Sequence, residues 1–432
     1  MAAAWWGEYL VGRHTAGRAD QRADEFAEFQ QVMDRSLSFT VKHTFCPEGT
    51  LPMWVADMDL PVDPAVHAAI LERARHPCFG YTIQPPELWA SAAAWMRREH
   101  GWLSIEPDHF LFCPNLVSAT VNAIRAFTEP GDGVALVRPL YTPLQSAVTA
   151  EGRRLVAVDA RSQRGRGSPL ELDLAVLRAV LAAERPRALI WCSPHNPSGR
   201  VWSRDELRAV AAMCDELDVF IIADEVWADL TLFGARHTPM ALACADVGHA
   251  RVLTASSPNK TWNLAGLHVG FVVLQSAPLR ARYLEVVEHT HARFGSVFAT
   301  TAMLAAYQHG GPWRERARRY FESQVELVEA FLGARVPEIA PSRPQASYLV
   351  WLDCSRLGLD ALVGGARSEL CLFLEQEARV KLSDGWSYGG EATAQYQRIN
   401  VACSRAILVE ALERIAAAVE RRRGQSRGSA GN

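Results

Sequence analysis

Three short segments carry residue types that could act together in chemistry. Ser193-Pro194-His195-Asn196-Pro197-Ser198-Gly199 follows the apolar run Ala188–Cys192, and Asp224-Glu225-Val226-Trp227 follows Val219–Ala223. Ser256-Ser257-Pro258-Asn259-Lys260 follows Val252–Ala255. Each run is apolar throughout, as a strand buried on both faces should be. The carboxyl ends of parallel strands are where open α/β sheets gather ligands. Singly, each segment has a plainer reading: an Asp after a strand caps a helix, an Asn-Pro makes a turn, and a Lys after a loop is solvated. In this order they bring a carboxylate, an amide and an amine to one edge of one sheet.

That set is what pyridoxal phosphate requires. The cofactor needs a lysine amine for its aldehyde and a carboxylate to keep a proton on its pyridine nitrogen, so that the ring accepts electrons. Lys260 and Asp224 fit these two parts, and Asn196 is suited to donate to the ring oxygen. Tyr141, in Pro139-Leu140-Tyr141, is suited to stack on the ring face. The backbone of Asn115, Leu116 and Val117 opens a predicted helix and, with the Ser257 hydroxyl, suits the phosphate.

The segments SPHNPSG, DEVW and SSPNK resemble the cofactor signature of class I/II aminotransferase-fold enzymes, which are fold type I and act as homodimers with shared sites. LPMWVADMDL (Leu51–Leu60), FGYT (Phe79–Thr82), AYQHGGPW (Ala306–Trp313), SYLVWLD (Ser347–Asp353) and RINVACSR (Arg398–Arg405) resemble the MalY/PatB-type cystathionine β-lyase branch. The resemblance implies that Arg398 clamps a substrate α-carboxylate, with Asn196 and the Ala56–Asp57 backbone beside it. It also implies that Tyr81 reaches the neighbouring subunit's cofactor or assists the substrate amine. The reaction it implies is β-elimination: Lys260 takes the Cα proton, and a cysteine S-conjugate yields a thiol, pyruvate and ammonia. Relatives in lincosamide-type antibiotic pathways divide between this elimination and an oxidative decarboxylation–deamination, and transamination uses the same machinery. A regulatory protein that keeps the cofactor but acts through a binding partner is the reading from another class.

The chain departs from the family pattern at four places. Trp227 stands where Tyr or His addresses the ring oxygen, and Asn259 stands where a Ser precedes the lysine. His268 occupies the position of a phosphate-binding Arg, and Lys381-Leu382-Ser383-Asp384 replaces a more apolar entrance segment. These changes predict a retuned site and a bulky S-conjugate as substrate.

The elements that must position these residues alternate as strand and helix between about residues 105 and 275, which predicts a mostly parallel sheet covered by helices. Further strands are expected at His109–Cys113, Val134–Arg138, Leu155–Asp159 and Val269–Leu274, and helices at Val117–Phe127 and Arg204–Leu217. Ser203 and Glu206 form a predicted capping box. Later, long amphipathic helices (Pro312–Phe331, Glu369–Arg379, Ile407–Arg422) flank two alternating strands, Tyr348–Asp353 and Gln397–Ala402. The expected organisation is an arm over residues 1–50 packing on the small domain and a large cofactor domain over 51–304. A small α+β domain over 305–423 and a disordered tail over 424–432 complete it. Arg161–Pro169 reads as a turn-rich loop, and the arginines at 314, 316, 318 and 319 as a solvated helix face.

The 432 residues suffice for two domains, and a net charge of -3 offers nothing to nucleic acid or an anionic membrane. Nine scattered cysteines without a CxxC spacing predict reduced thiols and no metal site. The first residues, with Trp5, Trp6 and Glu8, do not read as a signal peptide, which leaves the cytoplasm as the expected location.

Overall fold

The computed structural model describes residues 26–35, 38–162, 167, 170–290, 292–359, 362–363 and 367–429. Its centre is a seven-stranded sheet in the order Phe110–Cys113, Gly270–Val273, Val252–Ser256, Phe220–Asp224, Ala188–Cys192, Gly133–Arg138, Arg154–Asp159. Only Gly270–Val273 runs against the others. This is the expected α/β architecture. Ala188–Cys192 and Phe220–Asp224 are buried at every residue, which is why their runs lack alternation. One boundary shift matters: Asp224 ends its strand rather than starting the loop. It lies in register with Cys192 on one side and Ala255 on the other. Its carboxylate is thus carried by the sheet itself.

Local signals behave as their chemistry demands. The Leu116–Phe127 helix is capped by Asn115, whose side chain accepts from the Ser118 N–H at 2.9 Å. In the Arg204–Glu216 helix, Ser203 and Glu206 form the reciprocal capping box. Gly199, at φ 70°, closes the SPHNPSG loop. A Cβ there would collide with Pro344 and the Ala346 carbonyl, so this turn accepts only glycine. The loop expected over 161–169 is closed at its base by pairing of Arg161–Ser162 with Leu170–Glu171. Residues 163–166 and 168–169 lie outside the described residues.

A second, antiparallel sheet has the order Ala340–Pro341, Leu349–Asp353, Tyr396–Asn400, Ser383–Asp384. Arg398 sits inside it, opposite Trp351 and Ser383. The helices Gly311–Arg335 and Arg405–Ser429 pack together beside this sheet. The second helix runs past Gly424, where a disordered tail was expected to begin, up to Ser429. Once nucleated, a long helix adds a hydrogen bond with each residue, so polar sequence alone does not end it.

The arginines of the first long helix are also a correction. Three of the four are pinned rather than solvated: Arg314 pairs with Glu99, Arg316 with Glu28 and Arg318 with Glu315 and Glu322, while Arg319 is exposed as expected. The charge pattern is that of a wet face, but packing against other segments supplies Glu99 and Glu28, and the helix itself supplies Glu315 and Glu322. Of the N-terminal arm, residues 1–25 lie outside the described residues. Phe26 and Phe29 pack on Tyr320 and Trp313 of the same long helix. Leu51–Pro52 then pairs in parallel with Val380–Lys381. All nine cysteines are free, and among the described residues no His/Cys/Asp/Glu cluster suits a metal ion. No helix in the described residues is long and apolar enough to cross a membrane.

Candidate active site

A cavity of about 700 Å³ opens where the carboxyl ends of the central strands face the smaller sheet. Its lining includes Asn115, Leu116, Val117, Tyr141, Asn196, Asp224, Trp227, Lys260 and Arg398. Ala56 also lines it. Residues far apart in the chain thus meet at one place.

Lys260 donates from Nζ to the Ala56 carbonyl at 2.7 Å. Burial pushes its amine down to about 8, with Asp57 opposing that shift, Arg398 adding to it and Asp224 opposing it. Asp224 accepts from the Val226 N–H at 3.1 Å. Burial raises its carboxyl to about 6 against the pull of the Val226 N–H and Lys260. At neutral pH it is therefore ionised, in a setting where a cationic partner is strongly favoured.

Arg398 donates to Asn196 Oδ1 at 3.0 Å, to the Trp54 carbonyl at 2.8 Å and to Ser383 Oγ at 3.1 Å. None of these partners is an anion, and Arg398 Nε is buried without a hydrogen-bond partner among the described residues. A buried cation so placed is suited to an anionic ligand. Because Asn196 spends its oxygen on Arg398, its amide N–H groups remain to donate into the cavity. Trp227 is buried, edge-on to Tyr348 at 4.9 Å, with Lys260 Nζ 5.9 Å from its ring centre. Leu116 and Val117 open their helix, so their N–H groups have no carbonyl one turn back to receive them. Burial raises the Tyr141 phenol, which keeps it neutral beside the cavity.

Other expected residues are placed differently. Ser257 donates to the Val269 carbonyl and accepts from the Asn259 N–H, so its hydroxyl is used within its own loop and does not line the cavity. The residue lining the cavity there is Asn259, whose Oδ1 is buried without a partner among the described residues. His268 is exposed, at φ 53° just after a short 3-10 turn, and does not line the cavity. The turn carries its side chain outward, which corrects the expected phosphate contact. The Asp57 carboxylate faces Arg35 and Lys42 instead of the cavity. Tyr81 is fully exposed, beside Phe294 and away from this chain's own cavity. Sequence reasoning missed the outer wall of Trp54, Arg367, Cys371, Glu375 and Tyr388. Trp54 alone carried a signal, inside LPMWVADMDL; the others come from a two-residue strand and two short helices without a motif.

Polar atoms left open by the protein thus match a phosphorylated pyridine aldehyde: an amine, a carboxylate, amide donors and a helix N-terminus around one cavity. The Lys260 value fixes a pH dependence. Capture of the aldehyde needs the neutral amine, and a lysine lowered to about 8 supplies it far sooner than one at the usual 10.5. Cofactor-free protein is expected to take up pyridoxal phosphate faster as pH rises through about 8 and to level off above it, followed by growth of the yellow absorption band.

The fold and this site are those of the pyridoxal-phosphate enzymes of fold type I. The chain belongs to the class I and II aminotransferase family, whose model matches residues 55–415. It is similar to cystathionine β-lyase PatB of Bacillus subtilis, 36% identical over 85% of this chain and 92% of that protein. Protein MalY of Escherichia coli is 28% identical over 88% of this chain and 96% of its own length. Among solved structures, cystalysin from Treponema denticola, which contains pyridoxal 5'-phosphate, superposes with a TM-score of 0.85 and 25% identity. That match covers 91% of this chain and 98% of cystalysin. The pyridoxal-phosphate-bound C-S lyase from Staphylococcus hominis reaches a TM-score of 0.82 at 26% identity, covering 90% and 98% of the two chains.

Proposed function

We propose that this chain is a pyridoxal-phosphate-dependent carbon–sulfur β-lyase that converts a cysteine S-conjugate and water to a thiol, pyruvate and ammonia. The reading extends to a cytoplasmic homodimer serving a specialised pathway such as antibiotic biosynthesis. The observation that carries it is the meeting of Lys260, Asp224, Asn196 and the counter-ion-poor Arg398 in one cavity. The names of the lyase relatives support the choice of reaction.

When bound, pyridoxal phosphate supplies an aldehyde for the amine and a protonated ring that takes up the electron pair left at the substrate α-carbon. Leu116, Val117 and Asn259 would hold its phosphate, Tyr141 would cover the ring, Asn196 would face the ring oxygen and Asp224 the ring nitrogen. Arg398 binds the substrate α-carboxylate and so orients the Cα–H bond toward Lys260. Lys260 takes that proton, and the Cβ–sulfur bond breaks with the electron pair leaving on sulfur as thiolate. Trp227 and Trp54 keep bulk water from the reacting atoms. Tyr81 would complete the site of the partner subunit; exposed Phe79, Ile83 and Phe294 near it support a covered surface there.

The deciding experiment is a product assay with a panel of cysteine S-conjugates. Thiol and pyruvate in equal amounts support elimination. A keto acid retaining sulfur would identify an aminotransferase, and an aldehyde with oxygen uptake would identify the oxidative route, for which Trp227 in the cavity wall is the favouring observation. Absence of thiol from every conjugate would sink the lyase reading. Replacing Arg398 by Lys removes a planar fork and should raise KM about 10- to 100-fold, the equivalent of one charged hydrogen bond, with a smaller effect on kcat. Steady-state kinetics read that split.

A further inference from the structure

Behind the cavity wall lies a partly buried ion cluster that the reaction does not use directly. Lys42 is almost wholly buried and pairs with Asp59 at 2.6 Å and with Asp57 at 3.6 Å. Arg35 pairs with the same two carboxylates at 2.6 and 3.6 Å, and His43 Nε2 lies 3.2 Å from Asp59. Burial pushes the Asp59 carboxyl up, but Lys42, His43 and Arg35 outweigh it and hold it below the usual range. Asp57 has the two longer contacts, and its Oδ1 has no hydrogen-bond partner among the described residues.

The cluster sits on the segment Trp54–Met58, in which every carbonyl is held. Arg398 and Ser383 donate to Trp54 O, Asn400 to Val55 O, and Lys260 and Tyr348 to Ala56 O. Asn400 and Lys42 donate to Asp57 O, and Arg35 and Asn263 to Met58 O. Lys42 also receives the Trp54 indole N–H on its own carbonyl at 3.0 Å. The residue whose carbonyl receives the Lys260 amine is thus followed directly by the carboxylate that Lys42 and Arg35 bind.

We propose that Lys42 and Asp57 are positioning residues for Lys260: Lys42 clamps the segment whose Ala56 carbonyl holds the amine, and Asp57 supplies the anion that governs its protonation. The groups around Lys260 on the surrounding elements are Asp57 from this segment, its carboxylate turned to Lys42 and Arg35, Asp224 from the central sheet, Arg398 from the smaller sheet, Tyr348 just before it, and the Trp227 ring. Asp57 is the leading charge among them, and it is opposed by Arg398. A buried carboxylate beside a lysine would normally be neutralised by that lysine alone. Burial lowers the Lys260 amine to about 8, and Asp57, shared with Lys42 and Arg35, offsets only part of that lowering. This inference rests on Lys260 being the cofactor lysine of the proposed function.

The test uses cofactor-free full-length protein and two readouts: the pH dependence of pyridoxal phosphate capture, and acylation of the Lys260 amine read by peptide mass spectrometry. Asp57→Asn removes the anion and should lower the midpoint of both curves by about one pH unit, so that at pH 6.5 the rate rises up to about 10-fold. Lys42→Met frees Asp57 from one cation and should move both midpoints upward; Lys42→Arg, which keeps the charge, should stay at the wild-type midpoint. Opposite shifts from two touching residues are what a purely structural role does not produce, since misfolding slows both reactions without moving their midpoints. Midpoints that stay put in folded variants, or that move the same way in both, overturn the proposal. Should Lys42→Met not fold, Asp57→Asn carries the test by itself. Wild-type protein that captures no cofactor would instead defeat the cofactor assignment, while acylation of Lys260 would still report its protonation.

Discussion

Lys260→Ala should yield a colourless protein whose turnover falls by about 10²- to 10⁴-fold or more, the range for losing a positioned proton-transfer group. The expected loss has two parts. Lys260 lines the cavity together with Asp224, and the one other lysine in that lining among the described residues is Lys381. Lys381 is tied to the Phe45 carbonyl and lies over the Trp54 ring at 4.8 Å, so it does not replace the missing amine. Removing Lys260 also takes away the base for the substrate Cα proton. The fold should survive, because the one hydrogen bond lost is to the Ala56 carbonyl, which keeps its bond from Tyr348 at 3.1 Å. Absorption spectra and a thiol-release assay on protein with unchanged thermal unfolding check the outcome. A yellow, active Lys260→Ala protein would place the chemistry elsewhere.

Asp224→Asn should leave the protein yellow and lower kcat by about 10²- to 10³-fold, the range for removing one preorganised electrostatic contact at the reacting centre. Asparagine keeps an oxygen for the Val226 N–H, so the strand end is retained. What disappears is the charge. Asp224 is buried, and burial pushes its carboxyl up to about 6, so at an assay pH above that it is an anion suited to a cationic partner. Without that charge no group would hold a proton on the nitrogen of a bound pyridine ring, and the electron sink the cofactor would supply would be weakened. Colour without turnover separates this role from that of Lys260. The wild-type rate should also fall on acidification through about 6, as Asp224 takes a proton, to the extent that the bound cofactor does not hold that proton off.

The central sheet was legible because its strands are short, mostly apolar and separated by helices with ordinary caps. Those are local properties, and burial on both faces leaves no alternation to misread. The three site segments were legible for a related reason. In a parallel sheet each strand's carboxyl end points the same way, so chain order alone brings Asn196, Asp224 and Lys260 to one edge. Their residue types then define the cofactor chemistry.

The tertiary structure decided which partner each of those groups meets. Lys260 and the Ala56 carbonyl that receives its amine are 204 residues apart, and Arg398 and Asn196 are 202 apart. Nothing in the neighbourhood of Ser257 says that its hydroxyl turns to Val269, nor around His268 that a short turn faces it outward. The arginines on the Gly311–Arg335 helix show the same limit, since Glu99 and Glu28 come from distant segments. Sequence by itself determined the type of fold and the three segments that carry Asn196, Asp224 and Lys260, because the strands follow from apolar runs and the segments from the residue types at their carboxyl ends. Which side chains face the cavity, which are used up behind it and how Lys42 and Asp57 brace the catalytic lysine were decided by packing, because a hydrogen-bond partner is chosen by proximity in space and not along the chain.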